Sequence, residues 1–127
     1  MSQPEARFKK HLKEAFSELF PGEDSFNATF VATMLQTSGI PDLFFACKGR
    51  NVWVEAKVDG NTLEKSQKVT IPAMRQAGCV VYIAHANMKE PIPSRRVVYI
   101  ENGEGQRTYH KWPDINTLDF WKAFGLC

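Results

Sequence analysis

Residues 43–58 are the part of the sequence that most constrains the fold. Two runs rich in apolar residues, 43–48 and 51–58, flank a short turn that contains Gly49, and this spacing is typical of a β-hairpin. Successive side chains of a strand point to opposite faces. One face of the hairpin is therefore apolar and the other carries two charges, because apolar residues alternate along the second run with Trp53, Glu55 and Lys57.

The register of this hairpin decides which residues share the charged face. We expect Cys47 to pair with Val52. This register sets Asp42 opposite Lys57, on the same face of the sheet as Glu55. A shift of one residue would turn Asp42 to the other face, because the side-chain period of a strand is two.

The remaining segments predict helices and further strands around the hairpin. Residues 4–20 place apolar side chains at the three- and four-residue spacing of a helix. Residues 79–84 form a continuous apolar run, as expected for a strand that is buried on both faces. Pro72 should kink or divide the helix that is predicted at 63–77. The other predicted elements are strands at 26–35, 97–101 and 106–112 and a short helix near 118–124.

This order of elements predicts an α/β or α+β fold in which a mixed central β-sheet is flanked by helices. A length of 127 residues suits one domain, 1–127, with a core of about 5–84 and a C-terminal extension at 85–127 that holds a hairpin and a short helix. A composition of 43% hydrophobic and 24% charged residues is ordinary for a globular protein.

Composition also indicates where such a chain would work. No segment approaches the roughly 20 apolar residues of a membrane span, and the polar start lacks the apolar centre of a secretory signal. The three cysteines have no metal-ligand spacing and suggest a reduced, intracellular protein of the cytoplasm. A net charge of +2 permits a nucleic-acid partner without requiring one.

The charged face of the hairpin carries the residue types of a phosphodiester-cutting site. Hydrolysis of a phosphodiester requires that its negative charge be offset, and a hard cation held by carboxylates does this. Asp42 and Glu55 are suitable ligands for Mg²⁺, the Ala56 carbonyl can lie beside the same ion, and magnesium needs only one or two carboxylates. Lys57 could position the attacking water or offset the charge of the transition state. On chemistry alone, a solvated strand face with Asp42 in a turn is the simpler explanation.

The motif Pro41-Asp42 followed by Glu55-Ala56-Lys57 resembles the bipartite signature of the PD-(D/E)xK nuclease superfamily. A longer pattern over residues 5–84 resembles its virus-type replication-repair nuclease (VRR-NUC) branch, including small stand-alone phage versions, and is similar to archaeal Holliday junction resolvases. That pattern consists of Gly39-Ile-Pro-Asp-Leu, Gly49, Val54-Glu-Ala-Lys, Gly60, Leu63, Gln67, Gly78 and Val80-Val81.

The resemblance implies a restriction-endonuclease-like fold and a Mg²⁺-dependent DNA endonuclease in which Mn²⁺ can substitute. Asp42 and Glu55 would bind the metal, the Ala56 carbonyl would assist, and Lys57 would be catalytic. The preferred substrate would be branched or junction DNA, and cutting two symmetric strands favours a homodimer. If the chain is encoded by a phage, it would act in the host cytoplasm. The alternatives are a catalytically silent nucleic-acid-binding module of the same fold, or a nuclease for other DNA or RNA substrates.

Two further site residues follow from the resemblance. Gln67 would lie at the edge of the site, near the scissile phosphate; alternatively, it is an ordinary surface glutamine. Glu5 would add a metal ligand from the first helix; alternatively, it forms a capping box with Ser2.

Basic residues outside the hairpin are candidates for contacts with DNA phosphates, which would make binding salt-dependent. The alternative for each of them is solubilising surface charge. The candidates are Lys9, Lys13, Arg95 and Arg96.

Overall fold

A mixed β-sheet with helices on its faces organises the chain. The structure, a computed structural model, describes residues 3–30 and 38–126. The helices are α1 (Gln3–Leu19), α2 (Lys65–Gln76) and α3 (Leu118–Lys122), with short 3₁₀ turns at Pro93–Arg95 and Trp112–Asn116. The strands are β1 (Ser25–Thr29), β2 (Leu43–Cys47), β3 (Arg50–Val58), β4 (Val81–Ala86), β5 (Val97–Glu101) and β6 (Arg107–Lys111).

The six described strands lie in one sheet in their sequence order, β1-β2-β3-β4-β5-β6. β3 and β4 run parallel, because α2 returns the chain to the same end of the sheet, and all the other neighbours are antiparallel. The predicted mixed sheet with flanking helices is therefore confirmed.

Strand boundaries differ from the predictions by more than one residue in β1 and β4. β1 ends at Thr29, and residues 31–35 of the predicted strand lie outside the described residues. β4 begins two residues later than predicted and extends to Ala86. The sequence did not indicate this extension, because His85 is polar. In the structure its imidazole stacks on Tyr99 of the neighbouring strand.

The main core lies on one face of the sheet, where α1 and the C-terminal segment pack. α1 contributes Phe8, Leu12 and Phe16, and the C-terminal segment contributes Trp121 and Phe124. Trp112 packs against this cluster. These aromatic side chains complete the core on this face of the sheet.

α2 covers the opposite face of the sheet. Ile71 of α2 and the β4 residues Val81 and Ile83 are buried there, outside the main core cluster. Because the side chains of β3 alternate between the faces, Glu55 and Lys57 also lie on this second face and are buried. The predicted charged face of the hairpin is thus an interior layer of the protein.

The β2–β3 hairpin has a different register from the predicted one. Lys48 and Gly49 both have positive φ, 49° and 84°, as in a two-residue type I′ turn. Cys47 therefore pairs with Arg50, and the predicted partner, Val52, pairs with Phe45. The prediction was wrong by two residues, which leaves every side chain on its predicted face.

Pro72 lies within a single helix, so of the two expected effects, a kink or a division, the division does not occur. Its ring nitrogen cannot donate to the carbonyl of Lys68, four residues earlier. Because Lys68 is exposed, water can take the place of that donor. At the N-terminal end of α2, the side chain of Gln67 accepts a hydrogen bond from the Glu64 N–H.

The cysteines differ in state. Cys79 is a free thiol, whereas Cys47, which the sequence suggested to be reduced, is disulfide-bonded. Among the described residues, none of the helices has the length and apolar character needed to cross a bilayer.

The loop before β2 is held against the first turn of α2. Gly39 has a φ of +86°, and a Cβ atom there would lie 2.4 Å from the Ser66 carbonyl oxygen and 2.9 Å from the Gln67 nitrogen. The Thr70 hydroxyl donates to the Ser38 carbonyl at 2.5 Å. Glycine is therefore needed for both its backbone angle and the space it leaves.

We predict that Gly39→Ala lowers the free energy of unfolding by about 1–3 kcal/mol, because its methyl group would displace α2. Urea denaturation followed by circular dichroism measures this difference. Gly60→Ala is the matched control, since a Cβ there meets no atom within 4 Å. Equal losses in the two variants would contradict the proposed contact between loop and helix.

Candidate active site

Asp42 lies at the bend where the chain enters β2. Its backbone N–H donates to Glu55 Oε1 at 3.2 Å, and its carbonyl accepts from the Phe30 N–H at 2.7 Å. The pairing of Leu43 with Val54 places Asp42 beside Glu55 when the register is continued by one residue. The two-residue turn of the hairpin thus brings the carboxylates of Asp42 and Glu55 next to each other. The predicted register had instead set Asp42 opposite Lys57.

Glu55 is the most deeply buried of the charged residues at this end of the sheet, with 1% of its surface exposed. Its Oε2 lies 3.4 Å from Lys57 Nζ, and the side chain of Gln67 hydrogen-bonds to the carboxylate. Burial raises the pKa of Glu55 to about 7, and the negative charge of Asp42 adds to the increase. Lys57, Gln67 and Lys9 act in the opposite direction, because each favours the charged carboxylate.

Gln67 occupies the first turn of α2 and is 6% exposed, so it is not an ordinary surface residue. Its Oε1 accepts from the Glu64 N–H at 2.9 Å, which leaves its amide group to donate to Glu55. The helix cap therefore holds Gln67 in the orientation in which it contacts the buried carboxylate.

Lys57 is 6% exposed and borders a small cavity of about 180 Å³. Residues of β5 and β6 also line this cavity; there Arg107 Nε donates to Glu101 at 2.8 Å and the guanidinium lies 4.2 Å from the ring centre of Tyr99. No sequence signal pointed to Arg107, because β6 is distant in sequence and only the sheet brings it to this cavity.

Lys9 lies inside the buried cluster that Asp42, Glu55, Lys57 and Gln67 form, whereas the sequence made it a candidate for contacts with DNA phosphates. It is 7% exposed, and its ammonium forms an ion pair with the Asp42 carboxylate and lies 3.7 Å from Glu5 Oε2. The sequence did contain a signal for the buried position of Lys9. This residue directly follows Phe8 and lies three residues before Leu12, so it falls within the apolar stripe of α1.

Glu5 lies near the site, and the ammonium group of Lys9 lies between its carboxylate and that of Asp42. The alternative capping box with Ser2 falls partly outside the described residues. In residues 3–30 and 38–126, the histidine, cysteine and acidic side chains form no group of three or more that could hold a metal ion. The metal role of Glu5 stays a prediction.

The other basic candidates lie apart from the cluster's contacts. Lys13 lines a groove of about 640 Å³ between α1 and β1. Arg95 is exposed in a 3₁₀ turn. Arg96 donates to the Glu90 carbonyl at 2.9 Å and stacks on Trp112, which gives it a structural role. Contacts of these residues with nucleic acid stay predictions.

The residues of the cluster fit a hard divalent cation. Asp42 and Glu55 supply adjacent carboxylates, and the effect of Asp42 on the pKa of Glu55 shows that their charges repel. Continuing the β2–β3 register by two residues sets Pro41 opposite Ala56. Because proline has no N–H, it cannot donate a hydrogen bond to the Ala56 carbonyl. This oxygen can therefore interact with another partner. Two carboxylates and a carbonyl form a ligand set that magnesium accepts.

Comparison with solved structures supports the fold. The chain is similar to Hjc of Archaeoglobus fulgidus, a Holliday junction resolvase from an archaeal hyperthermophile, with a TM-score of 0.53 and 12% sequence identity. The alignment covers 84% of this chain and 87% of that chain. No protein-family model and no curated protein sequence matches the chain. The resolvase-like architecture is confirmed, and assignment to the VRR-NUC branch or to a phage stays a prediction.

We predict that Glu55 makes the stability of the metal-free protein depend on pH. Between its ordinary pKa of 4.5 and the folded value of about 7, the folded state holds a proton that the unfolded state has lost. The free energy of unfolding therefore falls as pH rises through this window, by on the order of 3 kcal/mol at most. Urea denaturation in EDTA between pH 4.5 and 8 measures the slope.

Glu55→Gln should remove this part of the slope, because an amide does not titrate. Glu104→Gln, at an exposed position in the β5–β6 turn, is the matched control and should retain the wild-type slope. Identical slopes for wild type and Glu55→Gln would show that Glu55 keeps its ordinary pKa.

Proposed function

We propose that the protein is a Mg²⁺-dependent endonuclease that hydrolyses phosphodiester bonds in DNA, with branched DNA as its preferred substrate. The observation that carries the proposal is the buried cluster in which Asp42, Glu55, Lys57 and Gln67 meet at one end of the sheet. The predicted motif and the resolvase-like fold support it, and Mn²⁺ is expected to replace Mg²⁺.

The energetic cost of the cluster argues for a function. Burying a charge is unfavourable unless it is paired, and apolar residues of similar volume often stabilise a fold equally well. Here two carboxylates and two ammonium groups lie together, and the pKa of one carboxylate is strongly raised. Such perturbed groups are concentrated at functional sites. A silent binding module would have no need of Asp42, Glu55 and Lys57 together.

Each residue has a role that follows from its position. Asp42 and Glu55, with the Ala56 carbonyl, would hold the cation, which supplies Lewis-acid stabilisation of phosphoryl oxygen charge. Gln67 orients the Glu55 carboxylate and favours its charged form. Lys57, at the cavity edge, can donate hydrogen bonds to a substrate phosphate or to the attacking water. Because cation binding requires a charged carboxylate, activity should increase as Glu55 loses its proton around pH 7.

The substrate and assembly are inferred from the structural neighbour. Hjc is a Holliday junction resolvase, and a junction presents two equivalent strands, which a two-fold dimer can cut symmetrically. We therefore propose a homodimer that acts on branched DNA. Arg107, which lines the same cavity as Lys57, is suited to contact a phosphate of such a substrate.

We predict that Lys57→Ala and Asp42→Asn each reduce the cleavage rate by about 100-fold or more, the usual loss when one preorganised electrostatic group is removed from an active site. Labelled four-way junction, flap, linear duplex and single-stranded RNA substrates, incubated with MgCl₂ or MnCl₂, measure the rates. A four-way junction should be cut fastest.

Lys68→Ala is the control, since Lys68 is an exposed lysine on α2, and it should cut at the wild-type rate. Melting curves establish that each variant is folded. The proposal fails if the wild type cuts none of these substrates, or if the Lys57 variant cuts as fast as the wild type.

A further inference from the structure

Lys9 occupies an unusual place for a lysine. Its ammonium group forms an ion pair with Asp42, and only 7% of the residue is exposed. The neighbouring Lys10 shows the ordinary arrangement: its side chain is 76% exposed and lies 3.8 Å from Glu14. The sequence of α1 thus places two adjacent lysines in opposite environments, one inside the carboxylate cluster and one in solvent.

Lys9 lies beside the carboxylate of Asp42, whose negative charge a bound metal ion would neutralise. Asp42 and Glu55 repel each other, and a buried carboxylate is tolerated when a positive group lies beside it. Lys57 lies beside Glu55, and Lys9 lies beside Asp42. Each carboxylate of the cluster therefore has its own ammonium partner within the protein.

A divalent cation bound to Asp42 would meet this ammonium group. Two cations on one carboxylate repel each other, and the repulsion is stronger where water is largely excluded. Lys9 also lies 3.7 Å from Glu5, which offers its ammonium an alternative anionic partner on the same helix. A movement of the lysine side chain from Asp42 toward Glu5 would leave the Asp42 oxygens to the metal.

We propose that Lys9 is an internal counter-ion of the site, which neutralises Asp42 in the metal-free protein and competes with the divalent cation for its carboxylate. The inference rests on the proposed function in one respect, since it takes Asp42 to be a metal ligand. It has two consequences of opposite sign: Lys9 stabilises the metal-free fold, and it weakens the binding of the metal.

The test compares Lys9→Met with Lys10→Met, which remove the same charge from adjacent residues. Titration calorimetry with MnCl₂ and with MgCl₂, at pH 8 and without DNA, measures cation affinity. Lys9→Met should bind the cation about tenfold more tightly than wild type, the change that a difference of about 1.4 kcal/mol produces. Lys10→Met should stay within about twofold of wild type, since the charge of its exposed ammonium is screened by solvent.

Thermal denaturation in EDTA provides the second readout. Lys9→Met should melt at a lower temperature than Lys10→Met without metal, yet gain more from added MnCl₂. A merely structural role for Lys9 would lower both metal-free stability and cation affinity, which overturns the inference. Lys9→Arg keeps the charge and should bind the cation no more tightly than wild type. If Lys9→Met does not fold, Lys9→Gln takes its place with the same expectations.

Failure of this inference can be told apart from failure of the proposed function. If the wild type cuts DNA and binds Mn²⁺ in a manner that Asp42→Asn abolishes, while Lys9→Met binds it no more tightly than Lys10→Met, only the role of Lys9 is overturned. If neither wild type nor Lys9→Met binds either cation and no substrate is cut, both proposals are overturned.

Discussion

The buried carboxylate of Glu55 is the constraint on which the site depends. A charge with 1% exposure is stable only if its surroundings replace the water it has lost. Three groups offset part of that loss, namely the backbone N–H of Asp42, the amide of Gln67 and the ammonium of Lys57, while burial still raises the pKa of Glu55 to about 7. They come from three different segments of the chain, so the carboxylate also ties those segments together.

The local backbone features of the surrounding elements serve this arrangement. The type I′ turn at Lys48 and Gly49 determines the hairpin register, which brings Asp42 beside Glu55. Gly39 allows the loop before β2 to approach the first turn of α2 closely. The same turn of α2 carries Gln67, which is oriented by its bond with the Glu64 backbone. A glycine, a turn and a helix cap thus position the groups around one buried charge.

Charge balance links this structure to the proposed chemistry. Three carboxylates, those of Glu5, Asp42 and Glu55, and two ammonium groups, those of Lys9 and Lys57, lie close together in and beside the cluster. These carboxylates already form ion pairs within the protein, so the cation that we propose would have to rearrange those pairs in order to bind. The similarity to an archaeal resolvase, at 12% identity, supports the fold. The case for catalysis comes from the buried side chains themselves.

The sequence alone determined the secondary structure well, because helical and strand periodicity are local properties. The alternation in β3 correctly predicted that Glu55 and Lys57 share a face, and the resemblance of the motif pointed to Asp42 and Gln67, which the structure places beside Glu55. The sequence could not decide whether Pro72 would divide the helix, since the effect of a proline depends on whether water can reach the carbonyl left without a donor. The register was also wrong by two residues, because the turn type depends on the φ angles of Lys48 and Gly49.

Only the tertiary structure decided what surrounds the charged face. Sequence patterns record which residues share a face of one element, but not which other element covers that face. α2 covers the charged side of β3, so Glu55 and Lys57 are buried instead of lying on a solvated strand surface. This burial raises the pKa of Glu55. In the same way, the packing of α1 against the sheet brought Lys9 to Asp42, and the sheet brought Arg107 to the cavity of Lys57. These contacts join residues far apart in sequence, and their energies arise only when the chain has folded.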